Sequence, residues 1–256
     1  MKTAIFLQYH KVTNRFEMGG TWTPVSFFKK HVEYIKLRKM KSLTRDDLKN
    51  KNWNSENVLF TFDDSYQCVF ENAYPLLKDS GFIGAVFVVT NYIGKKNNWD
   101  INFGLKFSHM TVEQLRELHE KGWIIGSHSH NHLDLTRLPY AKLRDELKIS
   151  KEILEEIIGD EVFAIAYPYG RYNQKVLEAA AETGYIVGFG TTKGKNYEGF
   201  EYLSIKRRGV YAIDFSIRAK IDPIPLLSNF EKIKESLISR ASDISAFIKS
   251  ISQPVS

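Results

Sequence analysis

Two separate stretches of this sequence carry side chains that could hold a metal ion and move protons. Asp63 and Asp64 stand together just after the apolar run at residues 57–62. Adjacent carboxylates leaving a buried strand point in different directions, so one can bind a cation while the other handles a proton. The plainer account is a helix cap, since a helix N-terminus favours a carboxylate. His128 and His132 lie four apart, with His130 between them facing elsewhere. That spacing puts two imidazoles on one side of a helix or tight turn, as metal-binding pairs require; the plainer account is a solvated loop. Together, one carboxylate and two imidazoles make a three-ligand site with positions left for water and substrate. A cation so held can lower the pKa of a water to about 7 and polarise a carbonyl. The remaining aspartate would then be the general base. His10, at the end of the first apolar run, would protonate a leaving nitrogen, unless it is simply a buried, hydrogen-bonded histidine.

These groups must be brought together by the elements around them. Short apolar runs alternate with segments of helical period along the chain. Strands are expected at 3–8, 57–62, 85–89, 123–126, 162–166, 186–189 and about 204–211. Helices are expected at about 24–40, before Gly81, from Thr111, at 139–158 stopped by Gly159, and at 173–183 stopped by Gly184. The first is opened by Thr23 as N-cap with Pro24 at the first helical position. Strand-then-helix repetition implies a parallel sheet with helices outside. A closed or nearly closed barrel of seven or eight strands fits the count, and an open doubly wound sheet is the rival. In parallel α/β folds reactive groups collect at the C-terminal ends of strands, where His10, Asp63, Asp64, His128 and His132 all fall.

Length and composition bound the rest. At 256 residues, 43% hydrophobic, the chain suits one domain over 1–256, with 224–256 a C-terminal helical extension. Apolar residues at helical spacing in that extension suit packing on the barrel, an oligomer contact or a membrane surface. The single cysteine, Cys68, excludes an intramolecular disulfide and reads as core filler. The charge of +6 is spread along the chain, which argues against nucleic acid and for anionic surfaces or an acidic glycan. No apolar stretch approaches a membrane span and the first run lacks a cleavage site, so a cytoplasmic protein is the default expectation, or an extracytoplasmic one if a leader has been removed. The loop 91–108 is long enough to suggest a function. In it, Trp99 could stack on the apolar face of a sugar ring or anchor the loop. His109 and His119 read as structural.

The segments Thr61-Phe62-Asp63-Asp64-Ser65, His128-Ser129-His130-Asn131-His132 and Ala166-Tyr167-Pro168-Tyr169-Gly170 resemble, in order, the three main motifs of the polysaccharide deacetylase family, carbohydrate esterase family 4, also called the NodB homology domain. Leu7-Gln8-Tyr9-His10-Lys11-Val12 is similar to an N-terminal segment of the poly-N-acetylglucosamine deacetylase-like subgroup, where it replaces a C-terminal histidine. The likeness runs from about Phe6 to Val210. It implies a deformed (β/α) barrel of about seven parallel strands. It implies one divalent metal, most often Zn2+ and otherwise Co2+ or Ni2+, with Asp64, His128 and His132 as ligands. Asp63 would be the base, His10 the acid, and the Tyr169 backbone N–H a donor to the oxyanion.

Some positions depart from the pattern. Ser65 replaces a glycine. Ala166 stands where the family has an arginine that orients the base, and Arg207 or Arg208 could supply that charge. The family's fourth, Asp/Trp-containing motif is missing. With Trp99 and Tyr167, both arginines are counted as substrate-side candidates. The expected function is a metal-dependent hydrolase, with a metal-activated water, removing N-acetyl groups from N-acetylhexosamine units of a polysaccharide or glycolipid. The alternatives are deacylation of another amide and a non-catalytic carbohydrate-binding protein.

Overall fold

The computed structural model describes residues 4–17, 20–97, 106–191, 194–214 and 216–222. The strands among these residues are β1 (Ile5–Tyr9), β2 (Lys11–Val12), β3 (Trp22–Thr23), β4 (Lys41–Ser42), β5 (Asn57–Phe62), β6 (Gly84–Val88), β7 (Ile124–Ser127), β8 (Ala164–Ala166), β9 (Val187–Thr191) and β10 (Ile205–Gly209). The helices are α1 (Val25–Leu37), α2 (Arg45–Lys49), α3 (Tyr74–Asp79), α4 (Val112–Glu120), α5 (Tyr140–Ile158), α6 (Gln174–Glu182) and α7 (Arg218–Ile221). Seven parallel strands, β1 and β5 to β10, pair side by side, and β1 closes the ring by pairing with both β5 and β10. The architecture is a closed (β/α) barrel, so the open-sheet rival is excluded. β4 adds two residues beside β5, and β2 pairs with β3 outside the ring; these three short strands carry no signal in the sequence.

The barrel separates two apolar populations by the period of two along each strand. Phe6, Leu59, Ala85, Phe87, Ile124, Ala164, Ala166, Val187 and Phe189 fill the interior. Ile5, Leu7, Phe60, Phe62, Val86, Val88, Ile125 and Ile165 face outward against the helices. The interior is crowded. A Cβ on Gly126 would lie 2.5 Å from the Phe87 ring, so glycine is needed there.

The helices begin and end where local chemistry dictates. Thr111 and Gln114 form a reciprocal capping box at the start of α4, Asn173 caps α6, and Gly159 ends α5 in the left-handed conformation. At α1 the expected assignment shifts by one. Pro24 itself occupies the N-cap with φ −55° and ψ 140°, and the Val25 N–H is satisfied from outside the helix by Asn14 Oδ1 at 3.1 Å. The segment before α3 is a five-residue π-turn, Val69–Ala73, preceded by the half-buried Cys68. The C-terminal extension expected at 224–256 lies outside the described residues. Among the described residues no helix is long and apolar enough to cross a membrane.

Candidate active site

Strand alternation decides which groups enter the barrel mouth. Inward positions run Phe6, Gln8, His10 from β1; Leu59, Thr61, Asp63 from β5; Ile124, Gly126, His128 from β7; and Ile205, Arg207 on β10. Asp63 therefore continues the inward register. Asp64 would face out, but its φ of 67° and that of Ser65, 53°, turn the chain back on itself. This is the conformation that favours the glycine which Ser65 replaces. His109 holds the turn, its Nδ1 2.6 Å from the carbonyl of Asp64, and its ring stacks on Tyr66 at 4.9 Å. His109 is structural, as its sequence position suggested.

The second half of the site is a turn rather than a helix. Ser129 and His132 have φ of 63° and 56°. Ser129 Oγ accepts from the His132 N–H at 3.0 Å, and Ser127 Oγ accepts from the Ser129 N–H at 3.1 Å. A buried carboxylate from the middle of α5 fastens the turn. Glu146 accepts from the N–H groups of His130 and Asn131 at 3.1 and 2.8 Å, and from the Asn131 side-chain amide at 2.6 Å. His130 turns away and meets Thr90 Oγ1 through its Nδ1 at 2.8 Å.

Three ligand atoms converge as a result. Asp64 Oδ1 lies 3.7 Å from His128 Nε2 and 3.4 Å from His132 Nε2, all three residues being buried. All three atoms lie within 4.8 Å of one another. Two bonds of about 2.1 Å meeting at the tetrahedral angle hold their outer atoms about 3.4 Å apart, so this spacing fits one divalent ion. The Nδ1 of His128 lies 2.7 Å from the carbonyl of Ala166. A carbonyl only accepts, so that nitrogen bears the proton and leaves Nε2 as an acceptor on the cation side. The donor set, two imidazoles and a carboxylate with no thiolate, could hold a divalent ion and leave positions open beside it.

Beside it, Asp63 is clamped from three directions. Arg207 Nη1 donates to Oδ1 at 2.6 Å, Arg207 Nη2 to Oδ2 at 2.7 Å, and Gln8 Nε2 to Oδ2 at 2.7 Å. Burial pushes this carboxyl's pKa up, but the charge and hydrogen bonds of Arg207, together with the neighbouring His128 and His10, outweigh it and hold Asp63 well below the usual carboxylate range. Arg207 is 0% exposed, also donates to Thr61 Oγ1, and lies over the Phe87 and Phe189 rings. The charge that Ala166 fails to supply thus comes from β10. As a substrate contact, Arg207 is corrected: it has no exposed surface. So is Arg208, which alternation turns outward and whose Nη1 donates to the Lys220 carbonyl. Tyr167 is corrected for the same reason, being on the outward register and buried with its hydroxyl on the Leu203 carbonyl at 2.9 Å. Trp99 lies outside the described residues.

His10 continues the inward register of β1. Its Nδ1 is shut off from solvent with no hydrogen-bond partner among the described residues. Burial pushes its pKa down to about 4, against the pull of the Asp63 carboxylate. Tyr169 sits on the far side. Its φ of 59° and the 64° of Gly170 make a tight turn, and its ring packs 4.7 Å from that of His132. A Cβ at Gly170 would fall 2.1 Å from Thr191, so the turn requires glycine. Arg171 ties this turn to the histidine loop through Asp134 at 2.6 Å. Gln8 and Glu146 were missed in the sequence. Gln8 could have been found two residues before His10 on one strand face, and Glu146 as a carboxylate on the buried, mainly apolar stripe of α5.

A closed parallel barrel with an Asp-His-His cluster and a clamped second aspartate at its C-terminal mouth defines a carbohydrate deacetylase, a hydrolase of amide bonds. A profile of the polysaccharide deacetylases matches residues 50–188, over half of the chain, and the protein belongs to that family. YxkH of Bacillus subtilis, named for the same family, is 28% identical over 222 residues, covering 85% of this chain and 71% of YxkH. The poly-β-1,6-N-acetyl-D-glucosamine N-deacetylase of Staphylococcus epidermidis is 29% identical over 213 residues, 73% of this chain and 72% of the relative. IcaB from Ammonifex degensii superposes with a TM-score of 0.70 at 21% identity, over 84% of this chain and 94% of that one, and so shares the fold.

Proposed function

We propose that this polysaccharide deacetylase is metal-dependent and hydrolyses the acetamido group of N-acetylhexosamine units in a glycan. The observation that carries the reading is three ligand atoms within 4.8 Å of one another with an ionised aspartate beside them. Asp64, His128 and His132 would hold the ion, for which Zn2+ is the first choice by donor set. When bound, the ion supplies Lewis acidity to a carbonyl and makes water a better acid.

The remaining steps belong to the protein's own side chains. Asp63, ionised at neutral pH by Arg207, takes the proton from the attacking water. Arg207 and Gln8 fix the direction of its carboxylate, so that no reorientation is needed as the proton moves. The backbone N–H of Tyr169 steadies the oxyanion as the carbonyl becomes tetrahedral. His10, neutral at rest, receives the proton that Asp63 took from the water and delivers it to the leaving nitrogen, releasing acetate and a free amine. The likeness to the S. epidermidis enzyme supports an N-acetylglucosamine polymer as the substrate class.

The test is acetate release from N-acetylglucosamine oligomers, alongside divalent-ion binding by isothermal titration. Asp63→Asn is expected to abolish release while keeping the ion. His128→Ala and His132→Ala are expected to lose both. Full activity in Asp63→Asn would overturn the assignment of the base. Ion binding in the wild type with acetate from no glycan would favour another amide.

A further inference from the structure

We infer that the rim of this site carries an anion-binding patch, and that the glycan it takes bears negative charge within one or two sugar units of the acetamido group. This rests on the deacetylase reading above and narrows its substrate class. Four exposed cations, Arg15, Lys95, Lys96 and Lys106, lie on loops at the C-terminal mouth of the barrel. They are brought together by pairing rather than by sequence. Lys96 bridges Ser108 in antiparallel fashion, the His109 N–H donates to the Lys95 carbonyl at 2.8 Å, and the Asn97 N–H donates to that of Phe107 at 2.9 Å. Arg15 reaches across from the loop after β2, its guanidinium 5.4 Å from the centre of the Phe107 ring.

This ribbon is fastened to the metal-binding turn itself. The Met110 N–H donates to the Ser65 carbonyl and the Gln67 N–H to that of Ser108, both at 2.8 Å, while His109 holds Asp64. Lys106 is three residues from His109, so at most about 10 Å of extended backbone separates it from the residue that touches the site. Between exposed charges that range slightly exceeds the Debye length of about 8 Å at physiological salt, so the patch acts by direct contact with a charged substituent rather than through space.

Among the described residues, carboxylates are scarce around these charges. Loop segments 10–17, 89–97 and 106–111 contain one carboxylate among their described residues, Glu17, and it is buried against Lys11 Nζ at 2.7 Å. Lys95 Nζ meets the neutral Asn91 Oδ1 at 3.1 Å. Beside Arg15, Phe16 is 67% exposed, with Trp22 set edge-on at 6.0 Å and its indole N–H fixed on the Glu17 carbonyl. An exposed aromatic face beside cations that have no carboxylate partner among the described residues suits an anionic sugar, whose apolar ring face and charged substituent need different partners. The product amine is cationic, so the same patch would repel it and hasten release.

Two probes separate the possibilities: hyaluronan oligomers, whose uronate alternates with N-acetylglucosamine, and an N-acetylglucosamine oligomer esterified with glycerol phosphate. Binding is read by fluorescence anisotropy on the whole protein carrying Asp63→Asn, which does not need turnover. Acetate release by the wild-type chain is measured in parallel with a neutral oligomer as reference. The expected result is tighter binding of at least one anionic probe than of the neutral one, weakening as salt rises from 50 to 300 mM. Lys96→Glu with Lys106→Glu should cut the anionic-to-neutral ratio of kcat/KM roughly tenfold, through KM. Equal binding of all three with the same salt response would overturn the patch, as would vesicle binding (phosphatidylglycerol) without glycan binding. Salt-dependent anionic binding without acetate release from any glycan would uphold the patch and overturn the deacetylase reading.

Discussion

At the scale of single residues, the site depends on one charged clamp. Asp63 and Arg207 are both buried, and each would be an uncompensated charge without the other. Removing one partner of such a pair costs about 3–5 kcal/mol, whereas removing both costs much less. Arg207→Met is therefore expected to lower the urea midpoint strongly and to abolish acetate release. Adding Asp63→Asn should restore much of the stability but none of the activity. Additive losses in the two variants would mean that the 2.6 and 2.7 Å contacts contribute nothing jointly. Gln8 is a neutral third donor to the same carboxylate. Gln8→Leu should lower kcat more than stability, which parallel kinetics and melting curves would show.

At the scale of elements, the histidines proposed as metal ligands are placed by a turn, and the turn is placed by a helix. Glu146 lies on the buried face of α5 between Leu143 and Leu147, yet it serves backbone N–H groups instead of apolar contacts. A carboxylate that fixes ligands from behind commonly changes metal affinity by about 10–100-fold when lost. Glu146→Leu should keep α5 helical by circular dichroism while weakening divalent-ion binding by that order. Unchanged affinity in a folded variant would show that the Ser127 and Ser129 hydroxyls suffice.

At the scale of the whole molecule, acid stability is set by buried neutral imidazoles. His31 on α1 is fully buried. Its Nε2 lies 2.8 Å from the Asp214 carbonyl and its Nδ1 3.2 Å from the Tyr9 hydroxyl. Since a carbonyl only accepts, Nε2 carries the proton and Nδ1 accepts from Tyr9. Burial pushes His31 down to about 4. The unfolded chain therefore binds a proton, from about pH 6.5 downward, that the folded chain refuses until about pH 4. Stability is expected to be level above pH 7 and to fall progressively as pH drops from 6.5 to 4. One imidazole contributes up to about 3 kcal/mol over that range. His10, also pushed to about 4, adds to the fall. Urea titrations at pH 7.5 and 4.5 check this, and His31→Gln should reduce the difference between them.

The sequence by itself determined the alternation of strands and helices, the motif residues and the strand ends that bear them. Those features are local: period, caps and residue types are written within a few positions of each other. It also placed His10, Asp63 and His128 at strand ends, which a parallel barrel gathers at one mouth. Only the tertiary structure decided that the sheet closes, because pairing of β1 with β5 and β10 joins segments some 50 and 200 residues apart. Closure in turn decided between Arg207 and Arg208. Adjacent residues on a strand face opposite sides, and the register of β10 sends Arg207 inward to Asp63 and Arg208 outward. The same alternation buried Tyr167, which its place in the motif had made a substrate-side candidate. Gln8 and Glu146 stayed hidden because their partners, Asp63 and the His130–Asn131 backbone, become neighbours only when distant strands and helices pack.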